Sequence, residues 1–185
     1  MSDSRVPTTS AVLVIDMQIG LITGAHHETE VLAAVNLVVG QAREAGVPVI
    51  FIQHNHSSFA PLMKNGAGWH IHPDLIRGPD DRAIEKEASD SFYKTGLEPL
   101  LESLGASTVV ITGMQTEYCV DATCRSALSK DIDVILVADG HTTGPSELSA
   151  GQIIEHHNSL LANLAHPNAK LRVVAANELS FARGG

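Results

Sequence analysis

Cysteine, aromatic residues and positive charge are all scarce in this sequence. Only 2 of the 185 residues are cysteines, aromatic residues make up 4%, and 12 lysines and arginines stand against 21 acidic residues, for a net charge of −9. So few cysteines exclude a disulfide-stapled scaffold, and an acidic chain without a basic stripe is not expected to bind nucleic-acid phosphates. No apolar run approaches the ~20 residues of a membrane span, and residues 1–10 lack the apolar stretch of a signal peptide.

The composition that remains is typical of a single folded domain. Hydrophobic residues make up 44% of the chain, which at this length is enough for one complete core. We therefore expect one domain over residues 1–185 with short flexible ends at 1–9 and 182–185. We also expect it in the cytoplasm, with both cysteines as free thiols and without membrane or nucleic-acid partners.

Strand and helix patterns alternate along the chain. Five runs rich in valine and isoleucine, and a weaker one at Ala83–Glu85, predict strands, most of them buried on both faces; the five are 11–16, 47–53, 107–113, 133–139 and 171–176. Helical periodicity lies between them, at 30–45, 95–104, 117–129 and 149–165. This order predicts an α/β protein with a three-layer Rossmann-like fold, in which a mostly parallel six-stranded sheet is flanked by helices.

In such a sheet the ligand site lies beyond the carboxyl ends of the strands, where the strand order reverses. One long irregular stretch, residues 54–82, follows a strand and carries the only tryptophan, Trp69, and four of the ten histidines. A loop of that length is usually functional. The glycine-rich nucleotide-binding motifs and the serine-hydrolase elbow are absent from the sequence, so dinucleotide, P-loop and serine-hydrolase sites are not expected.

Cys119 is the strongest chemical candidate. It lies in GMQTEYCVDATC, just after a strand, where the pattern becomes helical. A thiol in the first turn of a helix faces unpaired N–H groups and the positive end of the dipole, which predicts a lowered pKa and a nucleophilic thiolate. The alternative is a small buried apolar thiol, and this is the interpretation we favour for Cys124.

Asp16 and Lys86 also follow strands. Asp16 ends the first strand, where its carboxylate could cap a neighbouring helix or act as an acid or base. Lys86 follows the weak strand, and an isolated lysine is usually a solvated surface residue. Neither position decides a function by itself.

Four separated segments carry a resemblance to a known family. They are AVLVIDMQIGLI (11–22), K-x5-F-x2-T-x-L from Lys86 to Leu97, VVITGMQTEYCVDATCRSAL (109–128) and VILVADGHTT (134–143). Through them the chain resembles the isochorismatase-like cysteine hydrolases, which include nicotinamidases, N-carbamoylsarcosine amidohydrolase and streptothricin hydrolase. The resemblance covers nearly the whole chain.

The resemblance implies a catalytic triad of Asp16, Lys86 and Cys119. It also implies a cis peptide between Met114 and Gln115, with the backbone N–H groups of Gln115 and Cys119 forming an oxyanion hole. The implied chemistry is attack of the cysteine on a carbonyl carbon, release of an amine and hydrolysis of a thioester. Because family members that cleave a vinyl ether can lack the cysteine, its retention favours an amide or ureido C–N bond and a small-molecule substrate.

The histidines leave a metal site as an alternative. His54 and His56, with His70 or His72, could together bind zinc. The nicotinamidases carry Asp-x-His at the end of the second strand, and here His54 stands in the place of that aspartate. We therefore expect no bound metal or other cofactor; the alternatives are a site at His54, His56 and His72, or histidines that line the pocket or bond within the loop.

Four further residues are predicted to contact the substrate: Gln18, His54, Trp69 and Tyr118. Each could equally be structural, as when Trp69 anchors the long loop. The resemblance also implies a homo-oligomer, a dimer or tetramer. Two other functions stay open at this point: a metal-binding deamidase of the nicotinamidase type, and an inactive oligomeric binding protein with the same fold.

Overall fold

The structure, a computed structural model, describes residues 4–182. Its strands are β1 (Arg5–Val6), β2 (Ser10–Ile15), β3 (Val49–His54), β4 (Arg82–Lys86), β5 (Thr108–Met114), β6 (Asp133–Thr142), β7 (Leu171–Val174) and β8 (Ser180–Phe181). Its α-helices are α1 (Ile19–Ile22), α2 (Glu28–Glu44), α3 (Leu97–Ser103), α4 (Asp121–Leu128) and α5 (Ala150–Ala162). A π-helical turn, Thr116–Val120, leads into α4, and 3₁₀ turns lie at Ala60–Leu62, Ala67–Trp69 and Ala176–Glu178.

A parallel six-stranded sheet forms the middle layer, with the strand order β4-β3-β2-β5-β6-β7. Helix α2 packs on one face, and α3, α4 and α5 pack on the other. The predicted fold class is therefore confirmed. The chain moves outward from β2 toward β4 and then returns to β5, so the strand order reverses between β2 and β5.

Strand β2 shows why the valine-rich runs become central strands. All six of its residues are buried, with Val12 and Val14 in the core beneath α2 and Leu13 and Ile15 in the core on the opposite face. A side chain of about this size contributes roughly 1.5–3 kcal/mol when it leaves water, so a run that is apolar on both faces is stable only between two helical layers.

The helix boundaries follow local signals. Helix α5 begins at a capping box, in which the Ser149 hydroxyl accepts from the N–H of Gln152 and the Gln152 side chain accepts from the N–H of Ser149. Glycines with positive φ, Gly46 and Gly105, follow α2 and α3, where the left-handed conformation ends a helix. No helix within residues 4–182 is both long and apolar enough to cross a lipid bilayer.

The amino-terminal end differs from the prediction. Residues 1–9 were expected to be flexible, yet Arg5 and Val6 pair with Ser180 and Phe181 in a small parallel sheet, and the side chain of Val6 is fully buried. Val6 packs in the same core cluster as residues of α2, with Phe181 against it, so residues 5–6 have a fixed place in the fold. The outer parts of both predicted ends, residues 1–3 and 183–185, lie outside the described residues.

The ends of β2 and β5 approach each other very closely. Gly113, which is paired with Ile15, has a φ of 116°, and a Cβ on it would lie 2.0 Å from the carbonyl oxygen of Ile15. Only glycine fits both the conformation and the space. The next residue after Ile15, Asp16, also has a positive φ, of 51°. The backbone therefore turns sharply at the point where the strand order reverses.

Candidate active site

Four neighbouring strands end in side chains that meet at one edge of the sheet. Asp16 follows β2, His54 ends β3, Lys86 ends β4, and Cys119 lies in the π-helical turn that follows β5. Because these strands are adjacent and parallel, their carboxyl ends point to the same edge. The three residues of the predicted triad are thus brought into contact, and His54 lies among them.

The ammonium group of Lys86 lies at the centre of this cluster. Its Nζ is 2.7 Å from Oδ2 of Asp16, 3.1 Å from Sγ of Cys119 and 3.0 Å from Nδ1 of His54. It also donates to the carbonyl oxygen of Ala88 at 3.0 Å. An ammonium has no acceptor, so Nδ1 of His54 accepts and the His54 ring carries its proton on Nε2. Lys86 is therefore a buried, paired cation rather than a surface lysine.

Asp16 is a fully buried carboxylate with unused acceptor capacity. Despite the ion pair with Lys86, neither of its oxygens has an aligned hydrogen bond from any residue in 4–182. Buried polar atoms are normally satisfied, and exceptions often mark chemistry. These oxygens are free to take a proton from the neighbouring thiol or from a substrate.

Cys119 corrects the expectation of a lowered thiol pKa. Burial, followed by the negative charge of Asp16, raises the pKa of the Cys119 thiol from 9.0 to about 12, and the Lys86 ammonium opposes this only in part. The residue lies fourth in a π-helical turn rather than in the first turn of α4, and it is 7% exposed. The resting group is consequently a thiol, and a thiolate forms only as a proton is transferred.

The turn that presents Cys119 is organised by Gln115. The peptide between Met114 and Gln115 is cis, and the carbonyl of Gln115 accepts from the N–H groups of Tyr118 at 3.1 Å and Val120 at 3.2 Å. Met114 is buried beneath the turn. The oxyanion role of the N–H groups of Gln115 and Cys119 stays a prediction.

Cys124, by contrast, is a core residue. It is fully buried on α4, and burial raises the pKa of its thiol. Both cysteines are free thiols, as expected.

The side chain of Gln18 is bonded to the backbone of two other residues, and its predicted contact with the substrate stays a prediction. Its Nε2 donates to the carbonyl oxygens of His54, at 3.1 Å, and Trp69, at 2.7 Å, while its Oε1 accepts from the N–H of His54 at 2.8 Å. Both amide N–H donors and one lone pair of the amide oxygen are thus used within the protein. Gln18 positions His54 and the long loop.

Trp69 and Tyr118 lie in different settings. The indole of Trp69 donates to Oδ1 of Asn55 at 2.5 Å, and its carbonyl is bound by Gln18, so Trp69 anchors the loop, which is the structural alternative stated above. Tyr118 is 56% exposed beside the nucleophile. Of the four predicted contact residues, His54 is the one whose ring atoms touch the triad.

The trio His54, His56 and His72 does not gather around one point, so this predicted alternative metal site is wrong. Nδ1 of exposed His56 accepts from the N–H groups of Ser58 and Phe59. Nε2 of His72 lies 3.8 Å from Oε1 of Glu28, the first residue of α2. Within residues 4–182, the histidine, cysteine and acidic side chains that come close enough for one ion include Asp16, His54 and Cys119 instead.

Two cavities of about 590 and 540 Å³ lie along the outer edge of β4. Both are lined by Asn55, Glu85 and Glu87, and the smaller one also reaches Lys86 and Ala88. This second cavity therefore borders the triad on the side where Ala88 holds the lysine. It provides space for a small molecule next to the cluster.

A second buried network, to which the sequence assigned no role, supports the nucleophile turn. Nδ1 of His141 lies 2.8 Å from Oγ1 of Thr116, and its Nε2 lies 2.9 Å from Oδ1 of Asn158. Since the Asn158 amide nitrogen donates to the carbonyl of Ala138, its oxygen accepts from Nε2, and Nδ1 accepts from Thr116. The one sequence signal was the position of His141 in the segment 134–143.

Acidification is expected to destabilise the protein through His141. Burial lowers the pKa of His141 from 6.5 to about 4. Between these pH values the histidine is therefore protonated in the unfolded chain and neutral in the folded protein. The stability that depends on a neutral His141 is fully present above pH 6.5 and is lost as the pH falls toward 4. The loss is about 3 kcal/mol in the free energy of unfolding.

Urea unfolding between pH 7 and pH 4 measures this effect. The His141→Gln variant removes the titrating group and should show a shallower fall in stability with pH, whereas His70→Gln, at an exposed histidine, should follow the native curve. Parallel curves for the native protein and His141→Gln would contradict the assignment.

Comparisons with known proteins find matches over most of the chain. The chain matches the family model described as the isochorismatase domain over residues 10–171. It is 33% identical to a streptothricin hydrolase of Streptomyces noursei over 136 residues, which cover 72% of this chain and 49% of that protein. The chain thus spans about half the length of that relative.

Two further comparisons cover both partners more fully. Nicotinamidase 3 of Arabidopsis thaliana is 31% identical over 173 residues, covering 84% of this chain and 80% of that protein. The crystal structure of an isochorismatase family protein, 30% identical, matches with a TM-score of 0.79 and covers 88% of this chain and 97% of the other.

Proposed function

The chain belongs to the isochorismatase family, and from that premise we propose that it is a cysteine hydrolase that cleaves a C–N bond, of amide or ureido type, in a small molecule. The observation that supports this most directly is the position of the Lys86 ammonium, 2.7 Å from the Asp16 carboxylate and 3.1 Å from the Cys119 sulfur. Nucleophile, base and cation share one buried cluster at the edge where parallel sheets place their ligands.

In the first half of the reaction, Asp16 takes the proton of the Cys119 thiol while the sulfur attacks the carbonyl carbon. The Lys86 ammonium stabilises the sulfur's negative charge as the proton leaves, which a thiol with a pKa of about 12 requires. The substrate oxygen becomes an oxyanion, which the N–H groups of Gln115 and Cys119 stabilise. Collapse of this intermediate breaks the C–N bond, and protonated Asp16 gives its proton to the departing nitrogen.

In the second half, a water molecule hydrolyses the thioester that remains on Cys119. Asp16, again a carboxylate, takes a proton from the water as its oxygen attacks the carbonyl carbon. The C–S bond then breaks, the acid product leaves, and the proton on Asp16 returns to the sulfur. The proton count closes over one cycle with water as the only co-reactant.

Amide cleavage is favoured over vinyl-ether cleavage because the nucleophile is present and in contact with its base. A relative is named as a nicotinamidase, which is an amide hydrolase. The metal-binding deamidase is not supported, because His56 and His72 are engaged elsewhere. An inactive binding protein would have no need for an unsatisfied buried carboxylate beside a thiol. Assembly as a homo-oligomer is proposed from the family resemblance alone.

The test is a panel of small amides and ureido compounds, assayed for released ammonia or amine and for the matching acid. We expect at least one compound to yield both products in equal amounts, at a rate unchanged by dialysis against a chelator. Turnover that vanishes on chelation and returns with zinc would favour the metal-dependent deamidase instead. Failure of the whole panel, together with turnover of a vinyl ether, would overturn the C–N assignment.

A further inference from the structure

The Lys86 ammonium is surrounded by acceptors in the manner of a bound cation. Oδ2 of Asp16, Nδ1 of His54, the carbonyl oxygen of Ala88 and Sγ of Cys119 all lie between 2.7 and 3.1 Å from its nitrogen. Groups that together surround one small cation are also placed to bind a metal ion. One carboxylate, one imidazole and one sulfur belong to this shell.

The spacing of these three side chains agrees with tetrahedral zinc. Zinc binds oxygen and nitrogen at about 2.0–2.1 Å and sulfur at about 2.3 Å, which places its ligand atoms roughly 3.3–3.6 Å apart. Nδ1 of His54 lies 3.5 Å from Oδ2 of Asp16 and 3.7 Å from Sγ of Cys119. All three ligand atoms lie within 4.8 Å of one another.

Two properties of the Asp16 and His54 side chains favour binding of a metal ion by this shell. Asp16 is fully buried, and beyond the 2.7 Å ion pair of its Oδ2 with Lys86 its oxygens have no aligned hydrogen bond from residues 4–182, so Oδ1 keeps acceptor capacity. The bare Nδ1 of His54 faces inward, toward the lysine, and is the atom that a metal would bind. The mixture of sulfur, nitrogen and oxygen suits zinc and disfavours the hard cations Mg²⁺ and Ca²⁺.

We propose that Asp16, His54 and Cys119 form an inhibitory zinc site, in which Zn²⁺ takes the place of the Lys86 ammonium and ties up the nucleophile. On binding, the Cys119 thiol and the Lys86 ammonium each release one proton to solvent, a zinc–sulfur bond forms, and the neutral lysine amine withdraws from the centre. Two protons leave as one divalent cation enters, so the zinc charge balances the carboxylate of Asp16 and the thiolate of Cys119. This site differs from the histidine trio considered above, because it shares only His54 with it.

Alkylation of Cys119 by iodoacetamide, followed by mass spectrometry, tests the proposal without relying on any hydrolase activity. We expect Zn²⁺ to slow the modification of Cys119 at least tenfold, while Mg²⁺ at the same concentration leaves the rate unchanged. Cys124, which is fully buried, serves as the internal reference in the same digest. Equal rates with and without Zn²⁺ would overturn the proposal.

Three variants identify the ligands. Lys86→Met removes the competing cation and should lower the zinc concentration needed for half-protection at least tenfold. His54→Ala should raise that concentration at least tenfold, whereas His56→Ala, at the exposed neighbouring histidine, should match the native protein. Circular dichroism confirms that each variant is folded.

The outcomes separate clearly. Protection that survives in His54→Ala would mean that zinc binds the cysteine alone, and the three-residue site would be wrong. Protection lost in His56→Ala would also overturn the proposed site, and it would favour the trio His54, His56 and His72 instead. A Lys86→Met protein with unchanged zinc affinity would show that the ammonium and the metal do not compete.

Discussion

Replacing Cys119 with alanine is expected to lower kcat for any substrate of this protein by about 10⁴-fold or more. The reason is that the other thiol of the chain, Cys124, is fully buried in the core. Asp16 and Lys86 remain in the variant, but the group that would form the thioester is gone. Alanine also removes the sulfur that Lys86 contacts at 3.1 Å, without adding bulk. Steady-state product release, measured against the native protein on the same substrate, gives the ratio.

Cys124→Ala is the matched control. It deletes the other thiol of the chain, five residues away on α4 and fully buried in the core. We expect it to cost roughly 1–2 kcal/mol of stability through a small cavity, while kcat stays within about twofold. If Cys119→Ala keeps most of the native turnover, the thioester route is excluded.

Replacing Asp16 with asparagine is expected to have two opposite effects. Hydrolysis should fall by about 10³-fold or more, because asparagine cannot accept the thiol proton or return it to the departing nitrogen. Alkylation of Cys119 should become faster, because burial and the Asp16 charge together raise the thiol pKa to about 12, and in the variant only burial would oppose the Lys86 ammonium. Product release and iodoacetamide labelling at a fixed pH measure the two rates.

A merely structural role for Asp16 predicts a different result. Loosening of the site would change both rates in a way that follows the loss of stability, and the thiol pKa would show no consistent fall. Asp121→Asn is the control, since Asp121 raises the pKa of Cys124 rather than of Cys119. It should leave hydrolysis and Cys119 labelling near their native values.

The layers of the fold could be predicted because burial on both faces leaves its mark in the sequence. Strand β2 is apolar at every position after Ser10, and so it was recognised. Strand β4 gave only a weak signal, because it lies at the sheet edge with exposed residues such as Arg82 and Glu85. Its importance comes from Lys86 at its end, which the family resemblance, rather than the strand pattern, indicated.

The electrostatic character of the site could not be predicted from local sequence. Position after a strand and before a helix suggested a lowered pKa for Cys119. The folded chain surrounds that sulfur with a buried carboxylate and little solvent, and these contacts between distant segments reverse the sign. The same holds for His54, whose place among the triad depends on β3 lying between β4 and β2.

The bonds that Gln18 makes within the protein could likewise not be predicted. Nothing in the sequence indicates that its amide is used by the backbone of His54 and Trp69, because those residues are 36 and 51 positions away along the chain. Side-chain bonds to remote backbone become visible only once the loop is folded.

The bonds of Gln18 have a consequence for how this scaffold can change. The long loop that follows β3 is attached to the catalytic edge of the sheet by the Gln18 amide. Two backbone hydrogen bonds, between Ile19 and His70 and between Met17 and His72, hold it at the same place. Residues 55–68, between β3 and these hydrogen bonds, form a loop segment that is attached to the sheet edge at both ends. Exchanges of its exposed residues Met63 and Lys64, which line the 590 Å³ cavity, can therefore change which molecule fits there while the reacting groups keep their places.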